Sequence, residues 1–201
     1  MEFSAPTNPM NDVQESLQEL LEESGALKSG HFQLSAGGHS PAYVQCALLL
    51  QRPDLASRVG QLVASRLAKY APKAVISPAL GGLVIGYEVA RSLQVPFRFT
   101  ERVEGIMTLR RGFTVQLNER IAIVEDVVTT GKSTLEVASL LQKCGAEVCA
   151  IGSILDRTGG DSPFQTPFES LMRLDLPTYD ADSCPLCAEQ IPLDRPGSRL
   201  S

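Results

Sequence analysis

Arg120-Ile-Ala-Ile-Val-Glu-Asp-Val-Val-Thr-Thr-Gly-Lys-Ser-Thr134 holds a strand, an acidic pair and a helix start in series. Ile121 to Val124 is a short apolar, β-branched run, the mark of a strand buried on both faces. Glu125 and Asp126 then place two carboxylates at the C-terminal end of that strand. Thr129 to Thr134 is small and hydroxyl-rich and opens a helix near Lys132. Open parallel α/β sheets bind ligands outside the carboxyl ends of their strands. A helix N-terminus adds unpaired N–H groups and partial positive charge, which suits a phosphate. The segment therefore offers a phosphate cradle beside two acids, and acids so placed serve hydroxyls, a metal ion or a developing cation.

Two familiar phosphate loops are excluded. A Walker A loop needs Gly five positions before Gly131, and that position is Asp126. The dinucleotide fingerprint G-x-G-x-x-G is supplied neither by Gly81-Gly82 nor by Gly131.

Outward from this segment the chain alternates strand and helix. Upstream, Ala74 to Ser77 reads as a strand, 82–93 as an apolar helix and Val95 to Phe99 as a strand. Residues 100–112 read as charged and irregular, and Phe113 to Val115 as a short strand. Downstream come a helix over 132–144, a long strand from Glu147 to Leu155, and one more from Ser170 to Leu174. The alternation predicts βαβ units, right-handed crossovers and a parallel sheet. Nearer the N-terminus, Val13, Leu17, Leu20 and Leu21 predict a helix over 12–24. Strands near 30–34 and 43–46 flank a turn-rich 36–41, and Pro53 starts a helix running to about Tyr70. Residues 1–11 read as a loose lead-in without the basic start or apolar centre of a secretory signal.

The 201 residues fit one domain, and 43% hydrophobic residues suffice for a full core. A net charge of −5 gives no basic field for nucleic acid, and no apolar run reaches the length of a membrane span. Five cysteines without a regular framework suit a reducing cytoplasm. A structural zinc needs four ligands, and Cys184-x-x-Cys187 has no second cysteine pair and no His-x-His run beside it. The pair therefore reads as a turn packing the tail, while Cys46, Cys144 and Cys149 read as buried.

Three further stretches fall at strand ends. Ser77-Pro-Ala-Leu-Gly-Gly82 joins a strand to a helix, and adjacent glycines permit close backbone approach to a ligand. Residues 100–112 form a mixed-charge loop offering Arg102, Arg110 and Arg111. Asp156-Arg157 follows the last long strand.

The strand–acid–acid–Thr-Thr-Gly order resembles the ribose-5-phosphate signature of type I phosphoribosyltransferases. With Phe32-x-Leu34, Pro-Ala-Leu-Gly-Gly82, Thr108-Leu-Arg-Arg-Gly-Phe113 and Asp156-Arg157, the chain resembles the orotate phosphoribosyltransferase family from about residue 14 to Leu200. The resemblance implies an α/β fold, a twisted parallel sheet flanked by helices. A small hood would come from about 25–50 and 160–201, in a single domain spanning 1–201. It implies transfer of phosphoribosyl from phosphoribosyl pyrophosphate to orotate in pyrimidine synthesis, with magnesium, in a cytoplasmic homodimer. It implies catalytic roles for Glu125, Asp126 and Arg102. Phosphoribosyl pyrophosphate would be bound by Glu125, Asp126, Val127, Val128, Thr129, Thr130, Gly131, Lys132, Ser133, Ala79, Leu80, Gly81, Gly82 and Arg102. Orotate would be held by Thr129 and Arg157. No side chain is assigned as a direct metal ligand. Two alternatives stay open: a transferase for another base, and a weakly active or non-catalytic binder of phosphoribosyl pyrophosphate.

Four positions depart from the family pattern. Ser35 and Gly38 stand in a segment where members carry cationic or hydroxyl residues, and Ile106 stands where a loop Lys or Arg is common. Glu101 occupies a place that takes a second cation elsewhere. Each lost cation removes a partner for pyrophosphate charge, so a weakened lid and reduced turnover are expected.

Overall fold

The computed structural model describes residues 17–34 and 37–196. The lead-in expected over 1–11, the first turn of the 12–24 helix and the departure at Ser35 lie outside the described residues. Helix α1 covers 17–23. Strands β1 (Leu27–Gln33) and β2 (His39–Val44) are antiparallel, and helices α2 (Cys46–Leu50) and α3 (Pro53–Leu67) follow. Then come β3 (Ala74–Pro78), α4 (Gly82–Leu93), β4 (Phe97–Val103), β5 (Ile106–Leu109), β6 (Arg120–Val128), α5 (Lys132–Lys143), β7 (Glu147–Asp156) and β8 (Phe168–Arg173). The short helix α6 (Pro185–Ala188) and strand β9 (Leu193–Asp194) close the described chain.

The main sheet runs β5-β4-β3-β6-β7-β8, parallel throughout except for β5, which is antiparallel to β4. Its central strands alternate between two cores, as the period of two requires. Val75, Ala122, Val124, Ala150 and Ile154 pack with helices α1 to α4. Ala74, Ile76, Ile121, Ile123 and Ile151 pack with Val137 and Leu141 of α5. Pro53 at the start of α3 gives up an N–H that has no helical partner, and Asp54 in the first turn faces the positive helix end. Gln94 in the left-handed region (φ 57°) terminates α4. At Gly60, where α3 crosses α4, an added Cβ would sit 2.5 Å from Glu88 Cβ.

Residues 100–112 are not irregular as the charge pattern predicts. Thr100–Val103 continue β4, which turns through Glu104 (φ 50°) and Gly105 (φ 81°) into β5. Two consecutive positive φ values make the tight turn that matches strand twist, and this is why Gly stands at 105. The strand expected at 113–115 is absent, its place taken by irregular chain between turns at 111–112 and 117–118. Helix α2 and strand β9 have no sequence expectation behind them, being too short for a periodic signal.

A second, three-stranded sheet orders β2-β1-β9, with β9 parallel to β1. His39 and Tyr179 exchange two backbone hydrogen bonds of 2.8 Å, tying the 177–191 tail to the same hairpin. No helix among the described residues is long and apolar enough to cross a membrane.

Candidate active site

Strand β6 carries Glu125 and Asp126 near its C-terminal end, beside the turn between β3 and α4. A Cβ on Gly81 would lie 2.7 Å from Asp126 Oδ1, and one on Gly82 only 2.9 Å from the Val124 carbonyl oxygen. Only glycine lets the two loops come this close. The Ala79–Leu80 peptide in this turn is cis. The Asp126 carboxylate accepts the Val127 N–H at 2.9 Å. Glu125 is 9% exposed and has no cation in hydrogen-bond reach among the described residues. Burial, reinforced by the Asp126 charge, pushes its carboxyl up to about 8. Burial also raises Asp126, opposed by the Val127 N–H. A pair of acids held in this way lacks positive charge or hydroxyl donors, and a ligand that supplies them restores its ionisation.

Beyond the pair, Gly131 in the left-handed region (φ 68°) turns the chain into α5. Val127 to Thr134, with Glu125, line a cradle of about 80 Å³ at that helix N-terminus, which is room for a single phosphate group. Thr129 and Thr130 also line a larger cleft of about 880 Å³. Its far wall comes from Gln33, Leu34 and Tyr43, and its floor includes Arg157 and the 173–178 segment. The Arg157 N–H donates to the Val128 carbonyl at 2.8 Å, which anchors the residue next to the cradle. Among the described residues its side-chain Nε is buried without a hydrogen-bond partner, and burial depresses its pKa. A half-buried guanidinium with no carboxylate beside it is a ready partner for an anionic ligand.

The structure thus brings together Ala79–Gly82, Glu125–Ser133 and Arg157, as their positions at strand ends predict. Arg102 stands apart. It pairs with Glu136 of α5 at 2.5 Å, donates to the Gly105 carbonyl at 2.9 Å, and lines neither cavity. Arg111 is held bidentately by Glu101 at 2.8 and 2.9 Å. Gly38 has a packing reason, since a Cβ there would sit 2.9 Å from Thr178 of the tail. Gln33 and Tyr43 escape sequence reasoning because their place in the wall depends on long-range pairing of the hairpin.

Two sequence expectations about the cysteines are revised. Cys184 and Cys187 do not merely form a turn that packs the tail: their Sγ atoms converge with ring nitrogens of His31 and His39, all four within 4.8 Å of one another. The histidines come from β1 and β2, so linear spacing could not reveal the set. Cys144, read as buried, is exposed, whereas Cys46 and Cys149 are buried.

Two facing loops at the carboxyl edge of a parallel sheet, one a phosphate cradle beside paired acids, define a phosphoribosyl-transferring class of site. The family profile described as phosphoribosyl transferase domain matches residues 47–171, and the chain belongs to that family. It is 52% identical to the orotate phosphoribosyltransferase of Thermotoga maritima, over 91% of this chain and 98% of that one. It is 48% identical to the enzyme of the same name from Carboxydothermus hydrogenoformans, over 91% and 97%. Among solved structures, the orotate phosphoribosyltransferase of Aeropyrum pernix matches with a TM-score of 0.64 at 25% identity, covering 79% of this chain and 93% of that one. The adenine phosphoribosyltransferase of Trypanosoma brucei shares the fold with a TM-score of 0.60 at 18% identity, covering 85% and 82%. The fold is therefore common to transferases of different bases, and the choice of base must come from residues of the cleft.

Proposed function

We propose that this chain transfers the 5-phosphoribosyl group of phosphoribosyl pyrophosphate to orotate, giving orotidine 5′-monophosphate and pyrophosphate in pyrimidine synthesis. The observation that carries the reading is Arg157, a buried guanidinium nitrogen without a partner in a cleft that shares Thr129 and Thr130 with the phosphate cradle. Orotate is an anionic base and needs a cation there, whereas uracil and purines do not.

The 5-phosphate sits on the N–H groups of Thr129 to Ser133 with Lys132 beside it. The Ala79–Gly82 turn presents backbone to the pyrophosphate. Arg157 holds the orotate carboxylate, and Thr129 also touches orotate. Breaking the C1–O bond leaves positive charge on the ribose, and Glu125 and Asp126 hold its hydroxyls and face that charge. Their hard carboxylate oxygens, short of positive charge, also suit magnesium, which binds through one or two carboxylates together with substrate phosphates. When bound, magnesium neutralises charge on the departing pyrophosphate.

The chain acts as one domain whose hood closes over the base, in a reducing cytoplasm that keeps its cysteines free. Leu80 in the turn before α4 and Val84 and Tyr87 on α4 are exposed apolar side chains, which suits a homodimer contact. With Arg102 tied away from its own cradle, the β4–β5 hairpin serves the neighbouring subunit. Mixing a subunit dead in the hairpin with one dead at Glu125 and Asp126 then restores activity; no restoration after verified exchange means action in cis. The proposed reaction itself is tested by product formation from orotate set beside uracil, hypoxanthine and adenine. Equal turnover with a neutral base would overturn it.

A further inference from the structure

We propose that His31, His39, Cys184 and Cys187 bind one zinc ion that staples the C-terminal tail to the N-terminal hairpin. Four of the six donor-to-donor distances lie close to those a tetrahedral ion imposes, and the whole set lies within 4.8 Å. Zn–N bonds of about 2.05 Å and Zn–S bonds of about 2.3 Å give ligand-to-ligand edges of about 3.3 Å for N–N and about 3.6 Å for N–S. The observed distances are 3.0 Å from His31 Nε2 to His39 Nδ1, 3.6 Å from Cys184 Sγ to His31 Nε2, 3.8 Å from Cys187 Sγ to His31 Nε2 and 3.3 Å from Cys187 Sγ to His39 Nδ1.

The protonation pattern agrees. His31 Nδ1 lies 2.8 Å from the Ile191 carbonyl oxygen, which accepts only, so this nitrogen carries the proton. Nε2 is then left with its lone pair turned toward the cluster, the arrangement that orients metal-bound histidines. His31, His39 and Cys184 are 2, 5 and 4% exposed, so their polar atoms have little water to satisfy them. Thiol–imidazole contacts are weak hydrogen bonds and leave inward lone pairs unused, whereas a cation uses all four. Two thiolates and two imidazoles form the donor set of structural zinc sites, and the set is closed, with no position left for a substrate.

The staple bears on the base cleft. His31 on β1 precedes Gln33 and Leu34, and His39 is backbone-paired with Tyr179 beside Thr178; Gln33, Leu34 and Thr178 all line the cleft. Zinc therefore fixes two walls that arrive from opposite ends of the sequence.

The test uses the full chain, purified without a metal-binding tag or chelator. Elemental analysis is expected to give one zinc per chain, falling to a small fraction in both Cys184→Ser and Cys187→Ser, while Cys144→Ser keeps it. Exchange of cobalt(II) into the parent is expected to give the visible bands of tetrahedral cobalt with thiolate charge transfer. That measurement needs no variant and so stands if the cysteine variants fail to fold. Release of zinc by a thiol reagent should weaken orotate binding more than phosphoribosyl pyrophosphate binding. Parent protein that takes up neither zinc nor cobalt overturns the proposal. So does full zinc content in both cysteine variants, or a parent mass two hydrogens light with Cys184 and Cys187 joined in a disulfide. The metal-content, cobalt and mass readouts do not depend on which base the enzyme uses.

Discussion

Glu125 carries an energetic cost in the ligand-free protein. Its folded-state carboxyl titrates near 8, above the value of about 4.3 for an unfolded chain. A folded state that holds the proton more tightly loses stability as pH rises through that window, from roughly pH 4 to pH 8. Glu125→Gln removes the charge and is expected to stabilise the ligand-free protein near pH 8 by roughly 1–3 kcal/mol, with little effect near pH 4.5. Thermal unfolding at the two pH values checks this, and turnover should collapse in the same variant. Arg157 makes the opposite case, a cation without an anion. Removing a charge partner of a bound carboxylate costs on the order of 2–5 kcal/mol. Arg157→Ala should therefore raise the KM for orotate at least tens of fold with far less change for phosphoribosyl pyrophosphate, and equal effects in steady-state kinetics would remove the assignment. Residues of the cradle are legible in sequence because Glu125 to Ser133 are contiguous and fall at one strand end. Gln33 and Tyr43 are not, because nothing local distinguishes a cleft wall from an exposed strand face.

At the scale of elements, the β4–β5 hairpin is the part that sequence reasoning misjudged. Its mixed charge suggests a solvated loop, yet Glu104-Gly105 sits between two alternating runs and marks a tight hairpin turn. The structure also sharpens the expectation of a weak lid. Ile106 stands next to the turn, 70% exposed. Glu136 engages Arg102, and Glu101 clamps Arg111. A well-placed donor to developing charge is worth ~2.7–4 kcal/mol where water is excluded, and less at an open tip. Ile106→Lys is accordingly expected to raise turnover several-fold. Steady-state rates decide: a parent already near about 10 per second and indifferent to Lys would end the missing-cation account.

For the whole molecule, the βαβ alternation carries the fold class, because strands buried on both faces must be apolar throughout. Close helix crossings are less visible. Nothing local in the sequence marks Gly60, yet Glu88 lies against it. Gly60→Ala gains about 1 kcal/mol of helix propensity. Overpacking the α3–α4 contact costs roughly 1–3 kcal/mol. A lower unfolding temperature is expected in a thermal scan; a rise would mean the helices separate freely. The second sheet is the least legible part, since the His31–Cys184 contact spans 153 residues and a two-residue strand has no pattern to read.

The three-stranded sheet also has a consequence for the order in which the enzyme is made. Every residue of the phosphate cradle has left the ribosome once α5 has, whereas β1 and β2, synthesised much earlier, wait for Tyr179 and β9. A nascent chain halted before residue 179 thus contains the phosphate cradle and every lining residue of the base cleft but Pro196, yet lacks Tyr179, Cys184, Cys187 and β9, which tie the hairpin to the tail. Domains fold progressively during synthesis, so the groups that would hold donor and base are all made before the tail that fastens the hairpin over them.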